Sequence, residues 1–255
     1  MQFIDTHSHL YDEAFAADEN LAVQRAIEAG VTRMILPDID SSSRERMFTL
    51  ADAYPQQLYP CLGLHPTSID ANWKNEMSKM EDYSSKTIKA IGEIGIDCYW
   101  SKEFLEQQKE AFIIQLKIAN ERNLPVIIHS RESTEIILDI LKANKNLNLR
   151  GVFHAYSGSK ETFREIQKLG DWYIGIGGVL TYKKASIAET VKDIPLERIL
   201  LETDSPYLTP VPYRGKRNES AYIPHIAAKL AELKEIDIET VAQQTSKNAE
   251  TLFNL

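Results

Sequence analysis

Short apolar runs alternate with longer stretches of helical periodicity along the whole chain. The runs are Phe3 to Asp5, Arg33 to Leu36, Leu58 to Leu62, Ala90 to Ile94, Val126 to Ile128, Gly151 to Phe153, Tyr173 to Ile176 and Ile199 to Glu202. Each has the length of a strand, ends in a polar or Gly/Pro turn and precedes a helix-like stretch. Between Lys102 and Glu121, Leu105, Phe112, Leu116 and Ala119 form one apolar stripe, and Asn123 and Pro125 stop the helix it predicts. Alternation of this kind builds βαβ units on a parallel sheet.

Eight nearly evenly spaced units are what a (β/α)8 barrel of the TIM type requires, and 255 residues matches its usual length. An open doubly wound sheet would alternate similarly, but the unit count and the placement of the polar residues favour closure. No composition shift or Pro/Ser-rich linker interrupts the series, so residues 1–255 read as one α/β domain.

Composition narrows the function classes. Hydrophobic residues at 43% support a sizeable core. A balance of 29 basic and 37 acidic residues, net −8, excludes a broad basic face for coating duplex nucleic acid and leaves room for a local basic rim. Cys61 and Cys98 are too few for a disulfide scaffold and lack zinc-module spacing. The start MQFIDTHSHL has no basic-then-apolar leader and no run approaches the roughly 18 apolar residues of a membrane span, so a soluble, cytoplasmic protein is expected. Gly158, Gly175, Gly177 and Gly178 match neither the Walker A nor the GxGxxG pattern, and no nucleotide cofactor is expected.

The chemistry concentrates at strand ends. Five of the six histidines follow predicted strands: His7 and His9 the first, His65 the third, His129 the fifth and His154 the sixth, while His225 reads as a surface residue. Glu93 and Asp204 end the fourth and eighth strands. In a barrel these positions converge on the C-terminal mouth. His7 and His9, two apart in extended chain, point to the same side. Histidines and carboxylates crowded at one mouth need divalent cations to compensate them. Six donors exceed one tetrahedral site, whereas two ions about 3.5–4 Å apart can share a carboxylate. The expected assignment is His7, His9 and Asp204 on one ion, His129 and His154 on the other, and Glu93 between them. Two ions of this kind (zinc, magnesium, manganese or similar) would acidify a water and polarise a phosphoryl or carbonyl oxygen. Asp204 is then either a ligand alone or also the base that orients the water.

His7-x-His9, GLHP at Gly63 to Pro66, GEIGID at Gly92 to Asp97, His129-Ser130-Arg131, HAYSG at His154 to Gly158, ETDSPYL at Glu202 to Leu208, PYRGKRN at Pro212 to Asn218 and SKNAETLF at Ser246 to Phe253 run through almost the whole chain. In this set and order the sequence resembles the TatD family of metal-dependent deoxyribonucleases. The resemblance implies an amidohydrolase-like barrel, a divalent metal centre and hydrolysis of DNA phosphodiesters, often from an end. It carries the family's metal ligands onto His7, His9, Glu93, His129, His154 and Asp204, the set already reached from strand ends. Cys98, Ala155 and Ser205 depart from commoner residues and remove no ligand.

Substrate contacts are more open. His65 either meets a phosphate or transfers a proton, or serves the turn ahead of Pro66. Arg131 either bonds a phosphate oxygen or pairs with a rim acid such as Glu132. Tyr213, Arg214, Lys216 and Arg217 follow the last strand and form either a base-stacking, phosphate-binding rim or a solvated loop; the resemblance inclines Arg214 toward substrate. DNA, as single strands or frayed ends, is the expected partner. Alternatives are an amide, lactone or ester hydrolase, since the same chemistry attacks carbonyl carbon, and a noncatalytic nucleic-acid-binding barrel. Glu93, where several amidohydrolases have a carboxylated lysine, favours the nuclease. Oligomeric state is open, a monomer being one option.

Overall fold

The computed structural model describes residues 1–255. Strands and helices alternate as β1 (Phe3–Asp5), α1 (Glu19–Glu28), β2 (Val31–Leu36), α2 (Ser41–Ala53), β3 (Leu58–Pro60), α3 (Trp73–Ser78), β4 (Ile91–Asp97), α4 (Leu105–Glu121) and β5 (Val126–Arg131). They continue as α5 (Thr134–Ala143), β6 (Arg150–Phe153), α6 (Lys160–Gln167), β7 (Asp171–Ile176), α7 (Ile187–Asp193), β8 (Ile199–Leu201), α8 (Ile223–Lys234) and α9 (Ile238–Phe253). Every strand pair is parallel and sequential: β1 to β3 form one run and β4 to β8 another. Bridges Leu62 to Ile91 and Ser8 to Ser205 join the two runs, closing a (β/α)8 barrel.

Period-2 alternation divides the strand residues between two apolar layers. Ile4, Ile35, Cys61, Ala90, Ile127, Val152, Tyr173 and Leu200, one from each strand or its flank, fill the interior with Ala249, Leu252 and Phe253 of α9. Their neighbours in sequence, such as Met34, Val126, Ile128 and Ile174, face the surrounding helices. Helix α9 closes the N-terminal end of the barrel: Lys89 there donates to the Asn254 carbonyl (2.6 Å) and Ser246 to that of Gln2 (3.3 Å). The opposite end stays open to build a site.

Two strands run further than the apolar pattern predicts. β4 continues to Asp97 and β5 to Arg131, paired as Gly95 with His129 and Asp97 with Arg131. Glu93 and His129 therefore lie within strands, where neighbouring main chain fixes them, instead of at strand ends. Gly95 makes the extension possible: a Cβ there would sit 2.0 Å from the His129 carbonyl oxygen, and its φ of +148° is one that L side chains rarely adopt. Helix α4 starts at Leu105, three residues after the expected Lys102. No helix is long and apolar enough to cross a membrane.

Candidate metal centre

All six expected ligands meet at the open end. From β1 and its turn, His7 Nε2 and His9 Nε2 lie 3.1 Å apart, and each is 3.6 Å from Asp204 Oδ1 beyond β8. Glu93 stands at the centre. Its Oε2 is 3.0 Å from His7 Nε2 and 3.8 Å from His9 Nε2, while Oε1 is 2.8 Å from His129 Nδ1 and 3.1 Å from His154 Nε2. One carboxylate oxygen thus faces each half of the ligand set. Donor atoms also converge in two groupings that the sequence did not suggest, His65–Glu93–His129 and His7–His154–Glu202.

Hydrogen bonds behind the ligands fix which nitrogen faces inward. The Tyr11 hydroxyl donates its single proton to the Pro37 carbonyl, so at 2.9 Å from His9 Nδ1 it accepts. Neutral His9 therefore carries its proton on Nδ1 and turns the Nε2 lone pair toward the cluster. His65 has the opposite tautomer. The Thr67 amide donates to its Nδ1 (3.1 Å), placing the proton on Nε2, 3.4 Å from Glu93 Oε1. His65 is thus built to donate a hydrogen bond into the site. Asp97 Oδ2 holds His129 Nε2 at 2.9 Å, and Glu202 Oε1 lies 3.4 Å from His154 Nδ1 while accepting from the Ala155 amide (2.5 Å). Carboxylates behind ligating imidazoles orient the ring and raise its basicity. Gly175 makes room for Glu202, whose Oε2 would lie 1.9 Å from a Cβ at that position.

Asp97, Glu202 and Tyr11 were missed by sequence reasoning, although the first two sit inside the quoted GEIGID and ETDSPYL motifs. Asp204 itself has φ of +57°, uncommon for a residue with a side chain, and its amide is held by the His7 carbonyl at 2.9 Å.

Glu93, Asp97, Glu202 and Asp204 have only histidines as charged partners, with no lysine or arginine in ion-pair range. Burial works against the charge of His154 and His129, yet the carboxylates facing them outweigh it and hold both above the usual imidazole range. Burial and His154 push His7 down, and burial lowers His65. Burial opposes ionisation of Glu93 too, but the surrounding histidines keep it well below the carboxylate range. This surplus of buried anionic donors, with His9 locked lone pair inward, fits divalent cations, and imidazole with carboxylate suits zinc, manganese or iron.

The cluster floors a cleft of about 810 Å3 that Arg131, Trp100 and Tyr207 also line. A smaller apolar chamber of about 290 Å3, walled by Ile176, Val179 and Leu180, adjoins it at His129, His154 and Asp204. Arg131 pairs with no acid; its guanidinium stacks 3.8 Å above the Tyr99 ring. Tyr213 and Arg214 line neither cavity. Tyr213 stacks on Tyr222 with centroids 4.3 Å apart and abuts His225, which is partly exposed; Arg214 lies 3.9 Å over Tyr182. Arg217 is tied to Asp18 and Glu219.

Comparison with known proteins agrees with this architecture. The family model described as TatD related DNase matches residues 4–254. The metal-dependent hydrolase YabD of Bacillus subtilis is 39% identical over 258 residues, covering 98% of each chain. The 3'-5' ssDNA/RNA exonuclease TatD of Pantoea ananatis is 32% identical over 260 residues, covering 98% of this chain and 99% of its own. The crystal structure of the TatD homologue YjjV from Escherichia coli superposes with a TM-score of 0.89 at 32% identity, over 99% of this chain and 98% of that one. The chain belongs to the TatD family of metal-dependent hydrolases.

Proposed function

We propose that this protein hydrolyses phosphodiester bonds at the ends of DNA strands, with two divalent ions at the barrel mouth. The observation that carries the reading is Glu93, whose two oxygens divide between the His7/His9 side and the His129/His154 side. His7, His9 and Asp204 would hold one ion, His129 and His154 the other, and Glu93 would join them. Bound ions supply an acidified water and charge stabilisation at a phosphoryl oxygen.

The chain's own groups have separate tasks. Asp204, with side chain 17% exposed beside His7 and His9, orients the attacking water and takes its proton. Water oxygen joins phosphorus, the bond to the leaving sugar oxygen breaks, and that oxygen takes a proton from solvent water while Asp204 gives back to solvent the one it accepted. His65 offers Nε2–H to a phosphate oxygen, and Arg131, free of ion pairs, supplies a positive charge at the cleft wall. The Pantoea relative named as an exonuclease supports a nucleic-acid substrate.

The test is incubation of metal-loaded protein with 5′- and 3′-labelled single strands, scored for nucleotide release. Wild type should shorten one end progressively and Asp204→Ala should not. Failure to cut DNA with Mg2+, Mn2+, Zn2+ or Co2+, alongside turnover of a carboxylic ester or amide, refutes the assignment.

A further inference from the structure

Three of the large hydrophobic side chains left open to solvent line the same cleft: Trp100 (68% exposed), Tyr207 (56%) and Leu208 (39%). Tyr99, 51% exposed, adjoins Trp100 with ring centroids 5.0 Å apart and planes at 82°. Arg131 covers one face of Tyr99 at 3.8 Å and reaches Trp100 at 5.3 Å. Trp100 and Tyr207 belong to the cleft that holds the catalytic cluster, Tyr99 adjoins it through Trp100, and none of the three fills the core.

The Trp100 segment is tied to the metal centre. Asp97 Oδ1 accepts the amides of Tyr99 (2.9 Å) and Trp100 (3.0 Å), while its Oδ2 holds His129. One carboxylate thereby sets both a ligand ring and the backbone carrying the indole. Across the chain order, the Tyr207 amide is held by the Asp204 carbonyl at 2.8 Å. Each exposed ring is referenced to a ligand of the centre.

We propose that Trp100, backed by Tyr99 and Arg131, is a stacking shelf for an unpaired nucleobase of the strand being cut. This rests on the nuclease reading above. An open indole face beside an unpaired guanidinium matches a base next to its phosphate, because stacking accepts any base and the cation meets the backbone. A base inside a duplex has both faces covered by its neighbours and must unstack to use the shelf. The shelf therefore selects single strands and frayed ends. It assigns to Trp100 the base-stacking role that the sequence offered to Tyr213.

The test measures KM and kcat of metal-loaded protein on a short oligothymidylate and on the same strand with abasic residues at both ends, for wild type, Trp100→Ala and Trp100→Phe. Stacking predicts that abasic ends raise the wild-type KM about tenfold, that Trp100→Ala does the same for the intact strand, and that the two losses do not add. Trp100→Phe should keep most of the affinity. Equal KM for both strands in wild type, or an equal Trp100→Ala loss on both strands, overturns the shelf while leaving the nuclease reading intact. If no strand is cut, the nuclease reading fails. Trp100 emission then decides the shelf, since Trp73 and Trp172 are buried: quenching by the intact strand and not by the abasic strand supports it, and no difference refutes it.

Discussion

Replacing Arg44 by Met should unlock the barrel beneath Glu93. Arg44 and Asp38 are both fully buried, with Nε donating to Oδ2 at 2.7 Å. The same Oδ2 accepts the Gly63 amide (3.1 Å), and Arg44 Nη2 donates to the Gly63 carbonyl (3.3 Å). The Asp38 main chain in turn accepts from the Glu93 amide (3.0 Å) and donates to the Gly92 carbonyl (2.9 Å). The pair thus knits the ends of β2 and β3 to the strand that carries Glu93. Methionine restores much of the volume but leaves a buried carboxylate with one amide partner. Losing one member of a buried ion pair costs about 3–5 kcal/mol. Against a total of roughly 5–15 kcal/mol for a folded protein, that is a large fraction, equivalent to about 10 °C in melting temperature at this chain length. Burial already pushes the Asp38 carboxyl up to about 7 despite Arg44 beside it, and removing Arg44 raises it further, so the two folded proteins differ in proton binding only above about pH 7. The deficit should therefore grow as pH rises above about 7. Urea titration of metal-depleted protein would measure it as a lower midpoint with unchanged slope. Asp38→Asn combined with Arg44→Met should recover most of the loss. A deficit below about 1 kcal/mol, or a double variant no better than Arg44→Met, would refute the argument.

Tyr11→Phe frees the His9 tautomer and should weaken divalent-metal affinity about 10–100-fold with an unchanged circular dichroism spectrum; unaltered affinity by calorimetric titration would contradict the assignment. Because the carboxylates hold His129 and His154 protonated without metal, binding should expel protons and tighten as pH rises, visible as a buffer-dependent binding enthalpy. Hydrogen bonds from Arg217 and Arg25 hold Asp18 below its usual pKa, so its contribution is present above about pH 4 and lost as pH falls. Asp18→Asn should cost about 1 kcal/mol or less at pH 7, since the group is partly exposed, and progressively less as pH falls below about 4; a difference that does not shrink in acid would point to another cause.

The strands were legible because each interior position, from Ile4 to Leu200, sits in a short apolar run that a helix cannot explain. The ends of β4 and β5 were not, because Asp97, His129 and Arg131 are polar residues inside strands, and only the pairing of Gly95 with His129 shows that the sheet continues there. The six proposed ligands stood out as polar residues at the C-terminal side of apolar runs. Asp97 and Glu202 did not, since an acid beside a turn reads the same whether it faces solvent or an imidazole. Chain order also fails to fix where a long connection points. The Tyr213 segment follows β8 as expected, but Tyr222, Tyr182, Asp18 and Glu219 fasten its rings and cations away from the cleft. The open aromatic surface of the cleft comes instead from Trp100 after β4 and Tyr207 after β8.

The central claim is a pair of cations divided by Glu93, and anomalous diffraction from crystals grown with Mn2+ or Zn2+, coupled to metal analysis of the same protein, tests it most directly. The account predicts two ions per chain about 3.5–4 Å apart, one against His7, His9 and Asp204 and one against His129 and His154, with a Glu93 oxygen on each. A single ion, or peaks away from Glu93, would contradict it.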